Sequence, residues 1–251
     1  MIMPQGLWRL NVKLICYLSN GYPTIDSSIE MATDYIDAGC DIIEVDFPSS
    51  DPYLEGEYIA NRMKEALAAC NDYEKYMDGI VEIKNSHPNT RFILLSYENT
   101  ILEIGVDRFI KFCVDNNMMD LIYVGKDNQE LKSKLIANGI KISCYVQYHM
   151  DEHEIKAAVE SNGFVYMQAK PTTNNVNPEF PTLKACIDHL KSLGINREIY
   201  CGVGIYAPED IKMAKEAGAD GVFVGSTVLK LHTDIPKMKE TIALFKKTCN
   251  E

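Results

Sequence analysis

The sequence predicts a closed (β/α)8 barrel in a single domain over residues 1–251. Three observations predict it. Short apolar runs alternate with amphipathic helical stretches from end to end, and the alternation gives eight β-then-α units. The length of 251 residues sits at the ~250 usual for one such barrel. No linker, low-complexity segment or shift of composition interrupts the series. Units of this kind imply parallel strands joined by right-handed crossovers, and eight of them favour the closed ring over a doubly wound sheet.

Lys13–Leu18 reads as the first strand. Turn chemistry follows in Ser19-Asn20-Gly21-Tyr22-Pro23-Thr24. Asp26 is the expected N-cap of a helix that runs through Ala38 and stops at Gly39. Asp41–Val45 is the second strand, with β-branched Ile42, Ile43 and Val45 suited to a sheet covered on both faces. Pro48 ends it, since proline cannot donate to a ladder. Two helical stretches come next, about residues 57–69 and 73–85.

Strands three to six are Phe92–Ser96, Leu121–Val124, Ile140–Val146 and Phe164–Gln168. Helices are expected over about 106–116, 129–137 and 152–161. A Pro/Thr/Asn-rich loop, Pro171–Pro178, precedes a helix over about 183–193. Strand seven (198–201), a helix (208–217) and strand eight (221–224) follow. A short helical turn near 227–231 and a last helix over about 235–249 complete the order.

Composition narrows the partners. Lys and Arg number 25 against 36 Asp and Glu, a net charge of −11. That balance argues against nucleic acid or an anionic membrane. A small anion stays possible, because main-chain N–H groups hold phosphate without net positive charge. The eight cysteines form no CxxC pair and sit mostly in apolar segments. They read as buried hydrophobes of a reducing compartment, with neither a disulfide frame nor a zinc site. No signal peptide is apparent, and no apolar run reaches the ~18 residues of a membrane span. The expected location is the cytoplasm.

In a barrel the chemistry sits at the C-terminal ends of the strands. Gly204 and Gly225 follow strands seven and eight, where backbone N–H groups can approach a ligand, and Ser226 opens a short helix behind them. Together they fit a barrel phosphate site. Each glycine taken alone reads equally well as a turn.

A carboxylate in a buried strand costs several kcal/mol unless it is neutralised or paired. Glu44 is in that position, with Asp46 two residues on. Glu55 lies eleven residues further, in a loop able to fold back over the mouth. One fixed and one loop-borne carboxylate suit a proton-transfer pair. The alternative is a structural ion pair of Glu44 with Lys126 or Lys170. Tyr17 and Tyr97 face the same end, as do Lys126 and Asp127 after strand four. His149 and His153 are four apart, but Asp151 caps a helix between them and no third ligand is evident, so no metal site is expected. His87, His189 and His232 read as surface positions.

These residues carry a resemblance. Asn20-Gly21-Tyr22-Pro23-Thr24, Ala38-Gly39-Cys40-Asp41-Ile42-Ile43-Glu44, Pro48-Ser49-Ser50-Asp51-Pro52, Gly202-Val203-Gly204-Ile205 and Gly221-Val222-Phe223-Val224-Gly225-Ser226 resemble the tryptophan synthase α chain family, in order and over nearly the whole chain. The resemblance implies a (β/α)8 barrel that cleaves indole-3-glycerol phosphate to indole and glyceraldehyde 3-phosphate. It implies no cofactor, and a pyridoxal-phosphate β chain as partner. By the same resemblance Glu44 protonates the indole ring at C3. Glu55 stands where the family has an aspartate that steadies the indole N–H. Tyr97 contacts substrate, Tyr17 lines the ring pocket, and Gly204, Gly225 and Ser226 hold phosphate.

Three places depart from the family pattern. Its Gly-Val-Thr-Gly lid is Thr172-Thr173-Asn174-Asn175 here. Its Pro-Asp-Leu-Pro after strand four is Gly125-Lys126-Asp127-Asn128, and the glycine-proline closing the strand-two loop is Gly56-Glu57. A lyase or isomerase acting on another phosphorylated compound, and a regulatory subunit that binds phosphate without catalysis, are the alternative readings.

Overall fold

A computed structural model describes residues 11–126, 128–173 and 176–251. The parts of the sequence reading that fall on Asp127, Asn174 and Asn175 lie outside the described residues. Nine strands make one parallel sheet: β1 (Lys13–Leu18), β2 (Ile42–Asp46), β3 (Arg91–Tyr97), β4 (Asp120–Val124), β5 (Lys141–Ile142), β6 (Cys144–Val146), β7 (Val165–Gln168), β8 (Ile199–Gly202) and β9 (Gly221–Val224). Their order is β5-β4-β3-β2-β1-β9-β8-β7-β6. The two ends of that order, β5 and β6, are one stave broken at Ser143, so the chain itself joins the ends of the sheet. Backbone bonds hold the junction: Ser143 donates to Leu121 O at 2.9 Å, and Gly163 donates to Ile142 O at 3.1 Å. The eight expected staves are thus present, the fifth in two pieces.

The helices are α1 (Ile25–Asp37), α2 (Glu57–Ala69), α3 (Tyr73–Ser86), α4 (Glu98–Ile104), α5 (Val106–Asp115), α6 (Gln129–Ala137), α7 (Glu152–Glu160), α8 (Leu183–Ser192), α9 (Pro208–Ala217), α10 (Ser226–Leu229) and α11 (Ile235–Asn250). Two expectations need correction. The N-cap of α1 is Thr24, whose side chain accepts from Ser27 N, and not Asp26, which lies inside the first turn. A helix, α4, begins directly at Glu98, where the sequence suggested only a strand end.

Successive strand residues point to opposite sides of the sheet, which separates two cores. Leu14, Cys16, Leu18, Ile43 and Val45 face outward into the shell of helices. Ile15, Ile42, Ile93, Phe164, Tyr200 and Phe223 face inward and fill the lower barrel. Arg91 closes the floor, bonding Asp120, Glu198 and the Tyr200 hydroxyl at 2.8–3.0 Å. Above the inward layer the barrel opens.

All eight cysteines are free. Among the described residues no helix is long and apolar enough to cross a membrane.

Candidate active site

The open end holds a cavity of about 610 Å³, the size of small-molecule sites in general. It lies where the strands end, as the fold demands. Glu44 and Tyr17 are direct neighbours across β1 and β2, and Cys16 pairs with Val224 across β1 and β9. Glu44, Tyr17 and Gly225 therefore fall in one row over three adjacent strands. With ~4.8 Å between strands, the acid and the Gly225 backbone stand about 10 Å apart. Glu44, Glu55, Tyr17, Gly204, Gly225 and Ser226 all line this cavity.

Tyr97 does not line it. Its side chain is fully buried behind Glu55, to which its hydroxyl donates at 3.2 Å. Tyr97 orients the acid.

The loop carrying Glu55 is built to fold back. Ser49 bonds Asn99 on α4 at 3.1 Å, and Ser50 bonds Glu103 on α4 at 3.1 Å. Tyr73 donates to Pro48 O at 3.0 Å, and Tyr53 sets its ring edge against Tyr97 at 5.7 Å. α4, absent from the sequence reading, is thus the buttress of this loop.

Glu44 has no basic partner among the described residues. Lys170 pairs with Asp210 at 2.5 Å, and the Lys126 ammonium lies 5.8 Å from the centre of the Tyr53 ring. The ion-pair alternative therefore fails. Burial first, then the charges of Glu55 and Asp46, raise the Glu44 carboxyl to about 8. Burial raises Glu55 too, against the Tyr97 hydrogen bond that lowers it. At neutral pH Glu44 therefore keeps its proton, ready to give.

At the opposite side of the mouth, Gly204 has φ +110° and a Cβ there would meet Lys170 Cβ at 2.9 Å. Only glycine meets both conditions without strain. Val203 beside it holds φ +54°, a costly conformation for a β-branched residue. This backbone is bent into shape at the cavity wall. Gly225 is different: a Cβ would touch only Tyr17 Cβ at 3.8 Å, so no packing demand of the fold excludes alanine. Lys170 and Asp210 tie β7 to the first turn of α9, whose Asp210 also accepts from Tyr206 N and Ala207 N.

Sequence reasoning passed over part of the wall. Tyr166 on β7 lines the cavity, stacks on Phe223 at 4.3 Å and meets Tyr145 edge-on at 5.4 Å. Gly202 makes room for it, since a Cβ there would lie 2.3 Å from the ring. Leu95 and Ile122 form the apolar side of the same wall. The signal that could have found Tyr166 is parity: it lies two residues before Gln168 and shares its inward face.

His232 is a correction of another kind. It is not a surface residue. Its ring accepts from Arg62 at 2.8 Å and contacts the Tyr35 hydroxyl at 2.5 Å, and burial lowers it to about 4. Among the described residues no group of three or more His, Cys, Asp or Glu side chains is placed to hold a metal ion.

Fold and cavity define a class: a (β/α)8-barrel protein with an apolar slot and paired carboxyls at the C-terminal mouth of the ring, and glycine-built backbone across from them. Comparison with known proteins makes the assignment specific. The family model for the tryptophan synthase alpha chain matches residues 9–251, and the chain belongs to that family. It is 31% identical over 210 residues to the tryptophan synthase alpha chain of a Staphylococcus aureus strain, covering 80% of this chain and 84% of that one. To the alpha chain of Methanosarcina barkeri it is 26% identical over 222 residues, with 87% and 82% covered. Among solved structures, tryptophan synthase of Mycobacterium tuberculosis superposes with a TM-score of 0.80 at 25% identity, over 96% of this chain and 94% of that one.

Proposed function

We propose that the cavity cleaves indole-3-glycerol phosphate to indole and glyceraldehyde 3-phosphate, a lyase activity in accord with the family, and that the whole chain works as one domain. The observation that carries the proposal is Glu44. It is a buried carboxyl, raised by that burial to about 8, without a basic partner among the described residues, in an apolar-walled cavity shared with Gly204 and Gly225.

Leu95 and Ile122 pack the indole ring, with Tyr17 on its other side. Glu55, held by Tyr97, takes the ring N–H and offsets the positive charge that develops there. Gly204, Gly225 and Ser226 receive the phosphate through backbone N–H groups. Glu44 gives its proton to ring carbon C3. The bond from C3 to the glycerol chain then breaks, while the adjacent hydroxyl passes its proton to the Glu44 carboxylate just formed. Indole and glyceraldehyde 3-phosphate leave, and Glu44 is again protonated.

The partner we infer is a tryptophan synthase β chain. An apolar rim supports it: Tyr53, Leu54, Tyr58 and Tyr206 are 43%, 70%, 42% and 57% exposed around the mouth, and exposed apolar side chains grouped at one edge mark interaction surfaces. Eight free cysteines suit a reducing compartment, and we place the protein in the cytoplasm.

Indole release from indole-3-glycerol phosphate, measured alone and with a β chain, tests the reading. Turnover that rises with the β chain is expected. Absence of turnover in both, with binding of another sugar or glycerol phosphate seen as thermal stabilisation, would replace the substrate.

A further inference from the structure

The inward face of β2 carries a second acid that the proposed reaction does not use. Asp46 lies two residues beyond Glu44 and so on the same side of the strand. It has no exposed surface and does not line the cavity. It sits behind Tyr17, whose hydroxyl donates to Asp46 Oδ2 at 2.5 Å. Asp46 Oδ1 accepts from the Asn20 amide at 2.6 Å. Both bonds favour the ionised form.

Strands and one loop of the barrel place groups around Glu44. β1 brings Tyr17, β2 brings Asp46 and the following loop brings Glu55. β3 brings Tyr97 behind Glu55, β6 brings Tyr145 and β7 brings Tyr166, while β8 and β9 present Gly202 and Phe223. No ammonium or guanidinium is among them. The cation that bears on Asp46 is Arg62 of α2. Its guanidinium stacks 3.7 Å from the centre of the Tyr22 ring and donates to His232, so it neutralises no carboxylate directly.

We propose that Asp46 is a positioning residue of the acid site: held ionised by the Tyr17 hydroxyl and the Asn20 amide, its charge keeps Glu44 protonated. The proposal rests on the reading of Glu44 as the proton donor. Burial raises both carboxyls, but the Tyr17 and Asn20 bonds oppose it at Asp46, whereas no hydrogen bond among the described residues opposes it at Glu44. Asp46 therefore gives up its proton before Glu44 does, and the charge so created opposes the second ionisation. Two jobs are divided between two carboxyls on one strand. The inner one is charged and unreachable, and the outer one is neutral and open to the ligand.

The test is a carboxyl ¹³C NMR titration of protein labelled at Asp and Glu, with Glu44 assigned from the signal lost in Glu44→Gln. Asp46→Asn is expected to lower the Glu44 midpoint by about one pH unit, a tenfold loss of proton affinity. Tyr17→Phe removes a bond that favours ionised Asp46, so Asp46 keeps its proton to higher pH and the Glu44 midpoint falls in the same direction by a smaller amount. The alkaline limb of kcat/KM for indole release moves with the midpoint.

A Glu44 midpoint unmoved in a folded Asp46→Asn protein overturns the proposal. Should that variant fail to fold, Tyr17→Phe carries the same sign and the same refutation. The titration reads Glu44 without turnover. A wild-type protein that releases no indole would thus remove the substrate assignment and leave the role of Asp46 still decided by the spectra.

Discussion

Glutamine at position 44 should abolish turnover and at the same time stabilise the protein. An unfolded chain ionises Glu44 near its ordinary value of 4.5, while the folded protein retains the proton up to about 8. At pH 7 the folded state therefore holds a proton that the unfolded state has released. The distance from 4.5 to 7, at about 1.4 kcal/mol per pH unit, makes this cost ~3 kcal/mol. Glutamine has the same shape and no charge to lose, and its amide faces a cavity open to water. The expected gain is about 2–3 kcal/mol, or roughly 5–10 °C in Tm for a chain of this size.

The sign over pH follows from the raised value. In the wild type, the Glu44 contribution to stability is full below about 4.5 and is lost as pH rises through 8. The difference between variant and wild type should be near zero at pH 4, grow through neutrality and level off above pH 8. Calorimetric Tm values at pH 4, 6 and 8, beside indole release at pH 7, measure both halves. A variant no more stable than the wild type at pH 8 would show that Glu44 is ionised and satisfied in the folded protein. A variant that still turns over would remove it from the chemistry.

The glycines of the mouth separate fold from ligand. Gly225→Ala should leave Tm within a degree or two, since a Cβ there meets only Tyr17 at 3.8 Å, yet raise KM for the phosphorylated substrate at least about tenfold; an unchanged KM excludes Gly225 from the cradle. Gly204→Ala adds strain at φ +110° and a 2.9 Å contact with Lys170, so both KM and stability should suffer, the latter by about 1–2 kcal/mol. Tyr97→Phe unties Glu55 and should lower kcat by about tenfold with little change of KM. Lys170→Met breaks the pair with Asp210, whose two side chains are 39% and 13% exposed. Denaturant unfolding should then show a loss of about 1 kcal/mol, and a larger loss of activity than of stability would give Lys170 a part in binding.

Periodicity alone sufficed for the order of the eight staves and of every helix but α4. Each apolar run is short and regularly spaced, as a parallel strand with its crossover helix requires, and Pro48, Gly39 and the turn residues mark the ends locally. The identity of the acids was also legible, because Glu44 and Asp46 interrupt a β-branched run where charge is costly. Local pattern could not reveal what those acids face. The break at Ser143 arises because one stave must pair with β4 below it and β7 above it, and α4 starts at Glu98 because the Glu55 loop leans on it.

Residues distant in the chain settled the rest. Lys170 went to Asp210 instead of Glu44, His232 was drawn inside by Arg62 and Tyr35, and Tyr166 entered the cavity over Gly202. The physical reason is common to all three. A side chain's periodicity says which face of its strand or helix it occupies, whereas its partner, and so its charge state, depends on which other strand ends the closed ring brings within a few ångströms.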